Sequence, residues 1–392
     1  MIKTIIHKSR HIFARTMTTQ QQQNHQQMFQ TKLLKVDPTS ISFASSTGEP
    51  IFSDLETQTH LEEASALLST TDNVVAFPTE TVYGLGGNSF NDESIKNIYK
   101  AKNRPADNPL ISHISSPSQI PRFFSVEIPE IYKPLIAKFW PGPLTILIPN
   151  VSNSQISQFT TAGQDTVAVR LPSHPIARAL IHLSDCPIAA PSANASTRPS
   201  PTLASHVYHD LQGRIPVILD GDNAQVGVES TVVDGLSSPP MLLRPGGVSL
   251  EQIREFGGEL WKDVVIAKKL SDDSLEPVKT PGMKYKHYSP TAKVVLVKDE
   301  DSIAEYIKEH GLEPDQTKLA LLTCETFKGE NFQGIVQSLG KSKAEISSNL
   351  FKALRYLDEE LNVELIFVEQ VGLSDEGLAI MNRLQKAASE NI

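Results

Sequence analysis

The sequence predicts an α/β fold in two domains, on three observations. Short apolar runs rich in β-branched residues recur along the chain, at 74–77, 144–148, 167–171, 217–220 and 230–234. They have the length of buried strands. Between them, apolar residues return at helical spacing, as in Leu61, Ala64, Leu67 and Leu68, or Ile131, Leu135, Ile136 and Phe139. Finally, 392 residues are more than one core usually holds, and residues 250–291 mix charge, proline and short apolar pieces as a linker would. The strand-like and helix-like segments do not alternate regularly enough to specify a doubly wound sheet.

Residues 1–36 carry Lys3, Lys8, Arg10, Arg15, Lys32 and Lys35 and no acid, and glutamine repeats at 20–23. This segment reads either as a mitochondrial presequence or as a disordered basic tail. Met17 offers a second start that removes most of the basic part, so cytoplasmic and mitochondrial forms from one gene are expected. The net charge of −9 argues against a chain that coats nucleic acid, though a local basic cleft remains compatible with it. Cys186 and Cys324 lie far apart and suggest no disulfide framework, which suits a reducing compartment. No apolar run approaches the roughly 18 residues of a membrane span.

From 37 to 53 the chain reads as a lead-in arm, and then a helical face leads to Val74–His113, the most informative stretch. Its apolar run stops at Pro78, which has no N–H to give a sheet ladder. Thr79, Thr81, Tyr83, Gly84, Gly86 and Gly87 follow closely. Glycines at this density predict a turn with positive φ or a close approach of ligand to backbone. Asn91 or Asp92 can cap the next helix, whose C-terminal half collects Lys96, Lys100, Lys102 and Arg104 before Pro105. Strand, glycine turn and basic helix together make a plausible anion cradle. On its own, though, the K-x-R pair fits a solvated basic face better than a phosphate site.

Other readings are excluded by spacing. Gly84 to Ser89 is one residue short of a dinucleotide fingerprint, and Gly334 to Lys341-Ser342 has five residues between its glycines where a P-loop has four. H-E-x-x-H, C-x-x-C and G-x-S-x-G are all absent, which removes metalloprotease, zinc-ribbon and α/β-hydrolase readings. In the strand at 167–171, residues 166, 168 and 170 share a face, so Thr166 and Arg170 can point into one cleft.

The stretches PTETVYGLG, KNRPADNPLISH, WPGPLT, VAVRLP, PIAAPSAN, STVVD and LLRPGG, in this order from Pro78 to Gly247, resemble the Sua5/YrdC family. PGMKYKHYSP and the α/β segment after it are similar to the long, Sua5 form. The resemblance implies an open, twisted, mixed sheet around a concave cavity over residues 57–249. It also implies a linker at 250–291 that folds over the active site, and a smaller α/β domain over 292–392. The implied activity is an ATP-dependent nucleotidyltransferase that makes L-threonylcarbamoyladenylate and pyrophosphate from L-threonine, bicarbonate and ATP, with Mg²⁺ accompanying ATP. Its product would pass to a tRNA threonylcarbamoyl-transfer complex for N6-threonylcarbamoyladenosine modification.

By the same resemblance, Thr81, His113, Arg170, Ala190 and Ser230 hold threonine. Arg104, Asn108, Thr166, Ser192, Asn194, Ser200, Arg244 and Tyr288 hold ATP, Tyr288 more firmly than His287. Lys102 and Arg104 form the K-x-R half of the family's catalytic signature, and Ser192 and Asn194 the S-x-N half. No metal ligands are specified. The rival reading is a non-catalytic RNA-binding module using a basic concave surface and the basic-aromatic cluster Lys284, Tyr285, Lys286, His287 and Tyr288, which also suggests weak binding of double-stranded RNA. The density of hydroxyls and single arginines favours a small-molecule pocket.

Overall fold

The computed structural model describes residues 29–106, 108–268, 287–313 and 318–392. The proposed presequence, its alternative start and Lys284, Tyr285 and Lys286 of the linker lie outside them. A large mixed sheet forms the first domain. Its strands are β1 (Lys32–Lys35), β4 (Val75–Phe77), β5 (Gly84–Asn88), β6 (Ile111–His113), β7 (Leu144–Pro149), β8 (Thr166–Arg170), β9 (Ile188–Ala189), β10 (Val217–Asp220), β11 (Thr231–Asp234), β12 (Met241–Arg244) and β13 (Val265–Ile266). Their spatial order is β1-β10-β4-β5-β9-β6-β8-β7-β11-β12-β13, with β2 (Ile41–Phe43) and β3 (Pro50–Phe52) paired separately. Parallel and antiparallel neighbours alternate irregularly. β4 lies antiparallel to β5, for instance, while β6 runs parallel to β8.

The sheet begins earlier than the sequence suggests. Lys32–Lys35 pairs in parallel with β10, residue for residue from Lys32 with Val217 to Lys35 with Asp220. The expected tail of 1–36 therefore ends inside a strand, whose mixed lysine–leucine sequence hides an edge position where both faces are half open. The linker expectation is corrected in the same way. Ser249 caps a helix at Leu250–Phe256 through a capping box with Gln252, and Trp261 beyond it is fully buried against Tyr132. β13 then pairs with β12. The chain up to Ile266 thus belongs to the first domain.

The glycine turn is also corrected. Residues 84–88 form a buried strand, and none of Gly84, Gly86 or Gly87 has positive φ. A Cβ on Gly86 would sit 2.7 Å from both Ile188 and Phe77, so the glycine lets those two side chains close over the strand. The turn lies just before it, where the Thr79 hydroxyl donates to the carbonyl of Val82 (2.6 Å) and meets the Thr81 hydroxyl (2.8 Å).

Helices cover the sheet on both faces. α1 (Leu55–Thr70) and α2 (Pro175–Ser184) bury Leu61, Leu68, Ala177 and Leu180 with Phe77 and Ile188. The helix Asp92–Lys102 is capped by Asn91, which accepts from the N–H groups of Glu93 and Ser94. It packs Ile95, Ile98 and Tyr99 with Tyr83 and Leu85.

The second domain is a five-stranded parallel sheet, β14 (Lys293–Val297), β15 (Leu319–Thr323), β16 (Ile335–Ser338), β17 (Leu365–Glu369) and β18 (Glu390–Asn391), ordered β16-β15-β17-β14-β18. The residues of β16 alternate between half-buried and exposed, as an edge strand's do, and leave no apolar run to read. α3 (Ser302–Glu309) lies on one face, with Ile303 and Tyr306 in its core. α4 (Lys343–Arg355) and α5 (Gly377–Ala387) cover the other, and their core takes in Val82 from the first domain and Tyr288 from the linker's end.

The Gly86 packing gives a direct test. Gly86→Val should lower unfolding stability by about 1–3 kcal/mol, the usual cost of overpacking a filled core. Urea denaturation would measure it, and an unchanged midpoint would mean that Phe77 and Ile188 yield freely.

Candidate active site

The carboxyl ends of β4, β6, β8 and β12, the PSAN loop after β9 and the end of the linker surround one cavity. Thr81, His113, Arg170, Ala190 and Ser230 all line it, as do Arg104, Ser192, Asn194, Arg244 and Tyr288. Ligand sites of open α/β sheets lie at such strand ends, where loops can aim side chains without disturbing the ladder. Four of the named residues are elsewhere. Thr166 shares a face with Arg170 as expected, but it begins β8, four residues away, or about 13 Å along a strand. Asn108 and Ser200 are buried behind the lining, and Lys102 is only 2% exposed.

Lys102 is placed behind the S-x-N loop. Its ammonium group donates to the carbonyls of Ser192 and Asn194, both at 2.5 Å, and so holds the S-x-N loop from behind. Burial first, then the neighbouring charge of Arg104, drives its pKa well below the usual lysine value. The helix puts it there. Lys102 ends the last turn, Asn103 closes that turn with φ 56°, and the backbone N–H of Arg104 then bonds to Tyr99, leaving Arg104 at the cavity wall. In the loop itself the Ser192 hydroxyl donates to the Asn194 side-chain carbonyl (2.5 Å), and the Asn194 amide donates to the carbonyls of Ala195 and Arg198.

On the other side of the cavity, Arg170 is 4% exposed and forms a 2.7 Å ion pair with Glu80, while its Nε donates to the carbonyl of Gly142. Glu80 also accepts from the N–H of Ser173. The sequence reading missed Glu80, although it sits inside the PTET stretch, because an acid beside two threonines resembles any turn. His113 is buried beside Arg170, and burial and that charge lower its pKa to about 3, so the ring is neutral near pH 7. Its Nδ1 lies 3.2 Å from the carbonyl of Ile188. That neighbour favours the Nδ1–H tautomer, which leaves Nε2 as an acceptor.

A third group joins these sides. Arg244 donates through Nε (3.1 Å) and Nη2 (2.9 Å) to the Ser230 carbonyl and through Nη2 to its hydroxyl (3.1 Å), which also meets Thr145 at 2.8 Å. Burial lowers the Arg244 pKa to about 10, so it remains a cation at neutral pH. Gly246, in the turn after it, allows the close approach: a Cβ there would lie 2.2 Å from the Glu229 carbonyl. Glu229, also missed from sequence, accepts from the Ser200 hydroxyl and from Arg383. Burial opposes its charge, but Arg383 and Arg244 outweigh burial and hold its pKa at about 2.

The end of the linker closes one wall. Tyr288 has φ 65° and stacks on Phe351 of the second domain at 5.2 Å between ring centroids. Burial raises its pKa to about 12, and burial lowers that of His287, which also lines the cavity, to about 4. Glu229 is the one acidic residue of the lining, and it is committed to Arg383 and Ser200. The described lining therefore offers no free carboxylate cage for a metal ion.

Residues 68–246 match the family model described as telomere recombination, Sua5/YciO/YrdC, and residues 248–389 match that of the threonylcarbamoyl-AMP synthase C-terminal domain. The threonylcarbamoyl-AMP synthase of Schizosaccharomyces pombe is 49% identical over 92% of this chain and 98% of its own length. That of Bacillus subtilis is 45% identical over 85% and 94%. The crystal structure of Pyrococcus abyssi Sua5 complexed with L-threonine superposes with a TM-score of 0.77 at 40% identity, covering 92% of this chain and 99% of that one. With the two family models matching successive stretches of the chain and relatives this similar over nearly full length, the chain belongs to the Sua5/YrdC family, in its long Sua5 form.

Proposed function

We propose that this protein is a threonylcarbamoyl-AMP synthase, a nucleotidyltransferase that joins L-threonine, bicarbonate and ATP and releases pyrophosphate. The observation that carries the reading is that a single cavity brings Thr81, His113, Arg170 and Ser230 to one side and Arg104, Ser192 and Asn194 to the other, with Arg244 hydrogen-bonded to Ser230 at their junction. The names of the relatives favour catalysis over a non-catalytic RNA-binding module. Weak binding of RNA, delivery to a tRNA-modifying complex and residence in cytoplasm and mitochondria stay proposals from sequence.

In this reading threonine's carboxylate faces Arg170, which Glu80 orients, and neutral His113 accepts a hydrogen bond through Nε2 from the substrate's hydroxyl or amine. The neutral amine adds to carbon dioxide derived from bicarbonate and loses a proton, giving an N-carboxylate. One oxygen of that group attacks the α-phosphorus of ATP, the bond to the β-phosphate oxygen breaks, and pyrophosphate leaves. The carbamate reverts quickly in water, so holding it beside the α-phosphate in a closed site is the main task. Arg104 and Arg244 supply positive charge where negative charge builds up on the reacting phosphates. Mg²⁺ would arrive on the phosphates of ATP, with water completing its shell.

Detection of threonylcarbamoyl-AMP by mass spectrometry, with purified protein, threonine, bicarbonate and ATP, tests the function outright; a folded protein that forms none refutes it. Arg104→Ala and Arg244→Ala should each slow product formation by roughly 10²-fold, the scale of one lost charged transition-state contact. Rates within a few-fold of wild type would take both arginines out of the chemistry. Calorimetry separates the substrates: Arg170→Ala should weaken threonine binding far more than ATP binding, and Ser192→Ala should do the reverse, more mildly. Equal losses of both ligands in Arg170→Ala would assign that arginine a structural role.

His113 also predicts a pH dependence of stability. Its folded pKa of about 3 lies below the ordinary 6.5, so the unfolded chain binds the proton first. Its stabilising contribution is complete above pH 6.5 and is lost as pH falls toward 3. Each such histidine costs about 1.4 kcal/mol per pH unit in that range. Urea midpoints between pH 7.5 and 5 should fall, and His113→Gln should make the fall shallower. An identical slope in the variant would mean that His113 titrates normally.

A further inference from the structure

One side chain of the second domain reaches two segments of the cavity wall without itself lining the cavity. Arg383, on α5, is fully buried, donates from Nε to Glu229 at 2.9 Å and from Nη1 to the carbonyl of Pro245 at 2.5 Å. Each partner adjoins a residue of the cavity. Glu229 precedes Ser230 and holds the Ser200 hydroxyl on its other oxygen, and Pro245 follows Arg244. The guanidinium carbon also lies 5.7 Å from the centroid of the Tyr288 ring. One planar, two-sided donor thus ties together the segments that carry Ser200, Arg244 and Tyr288, which come from three separate stretches of chain.

The threonine side has its own anchors. Ser230 is held by Thr145, the backbone of Thr231 bonds to Pro143, and Arg170 is set by Glu80 and Gly142. Arg244 also donates to Ser230, so the two halves meet there, but none of the other anchors involves Arg383. We propose that Arg383 is a positioning residue for the nucleotide half of the site: the C-terminal domain acts in the reaction by fixing Glu229 and Pro245, and through them Ser200 and Arg244. The inference rests on the functional reading above. It gives the docked second domain a part in ATP binding, and it predicts a larger effect on the nucleotide than on threonine.

The geometry makes the lysine variant informative. Arg383→Lys keeps a cation opposite Glu229, but a single ammonium on a flexible stem lacks the fork that spans Glu229 and Pro245. Arg383→Gln removes the charge, and adding Glu229→Gln removes the carboxylate that would then be buried with one partner fewer. Ser347→Ala is the control, because its hydroxyl crosses the same domain interface to the carbonyl of Val226 (2.9 Å) without touching the Arg383 network.

The experiment compares full-length wild type with Arg383→Lys, Arg383→Gln, Glu229→Gln, the Arg383→Gln/Glu229→Gln double variant and Ser347→Ala by three measures. They are thermal melting, calorimetric Kd for a non-hydrolysable ATP analogue and for threonine, and steady-state KM for both substrates. Both Arg383 single variants should raise the nucleotide Kd and KM by roughly tenfold, with threonine values within about twofold. The effects of Arg383→Gln and Glu229→Gln should be non-additive. Ser347→Ala should leave all binding constants unchanged. Folded Arg383 variants with wild-type nucleotide constants, or with equal losses for nucleotide and threonine, overturn the proposal. Failure of both single variants to fold also overturns it, since Arg383 would then be a stability anchor. If instead the wild type binds neither ligand and makes no adenylate, the functional reading itself is wrong.

Discussion

A carboxylate cut off from water is tolerated here only because cations surround it. Glu229 is 7% exposed, and an ionised carboxylate in such a place costs several kcal/mol unless charge and hydrogen bonds offset the loss of water. Arg383, Arg244 and Ser200 do so. The requirement has wide reach, because Arg383 can arrive only if the second domain docks. A second buried pair repeats the arrangement nearby, where Arg355 of α4 binds Asp210 at 2.7 Å and the carbonyl of Pro199 at 2.6 Å. Arg198 adds contacts to Asp358 and Glu359 from the turn that ends α4. Breaking one partner of such pairs is costly, whereas their net contribution to stability is small. Their effect is to specify one way for the domains to meet.

That geometry explains how a motif-sized signal becomes a site. Ser192 and Asn194 sit on a short loop with little regular structure of its own. Lys102 holds the loop's carbonyls from beneath, and Asp210 accepts from the Ala195 N–H at 3.0 Å, while Arg355 grips Asp210. The K-x-R motif therefore divides its labour. Its lysine builds the loop, and its arginine, two residues on and past the helix end, faces the cavity. Side chains two apart around a helix terminus point in different directions, so a shared role was never required by the spacing.

Much of this was legible in the sequence. Buried strands such as Leu144–Pro149 and Thr166–Arg170 show up as apolar runs, because burial on both faces leaves no alternation to dilute the signal. The cavity's hydroxyls and arginines were found through motif resemblance, which their residue types alone would not have supported. What escaped shares one physical cause, dependence on distant partners. The glycines of β5 look like a turn until Phe77 and Ile188 are seen to need the space. Strand β1 reads as tail until β10 supplies its ladder. Glu80, Glu229, Arg355 and Arg383 are ordinary surface charges on paper. Only the fold shows that each is buried against an opposite charge many residues away.

The two domains therefore differ in chemistry more than in necessity. The first supplies the groups that line the cavity, set on loops at strand ends. The second supplies no lining residue among those described, yet Phe351 stacks on Tyr288 and Arg383 bonds to the turn behind Arg244. Ser289, just beyond, bonds its N–H to Thr197 of the first domain and its hydroxyl to Ala387 of the second. The wall formed by His287 and Tyr288 is thus pinned from both sides, at the seam where the domains meet. A short-lived carbamate needs walls that stay closed while it reacts. Building one wall from the seam couples that closure to domain docking.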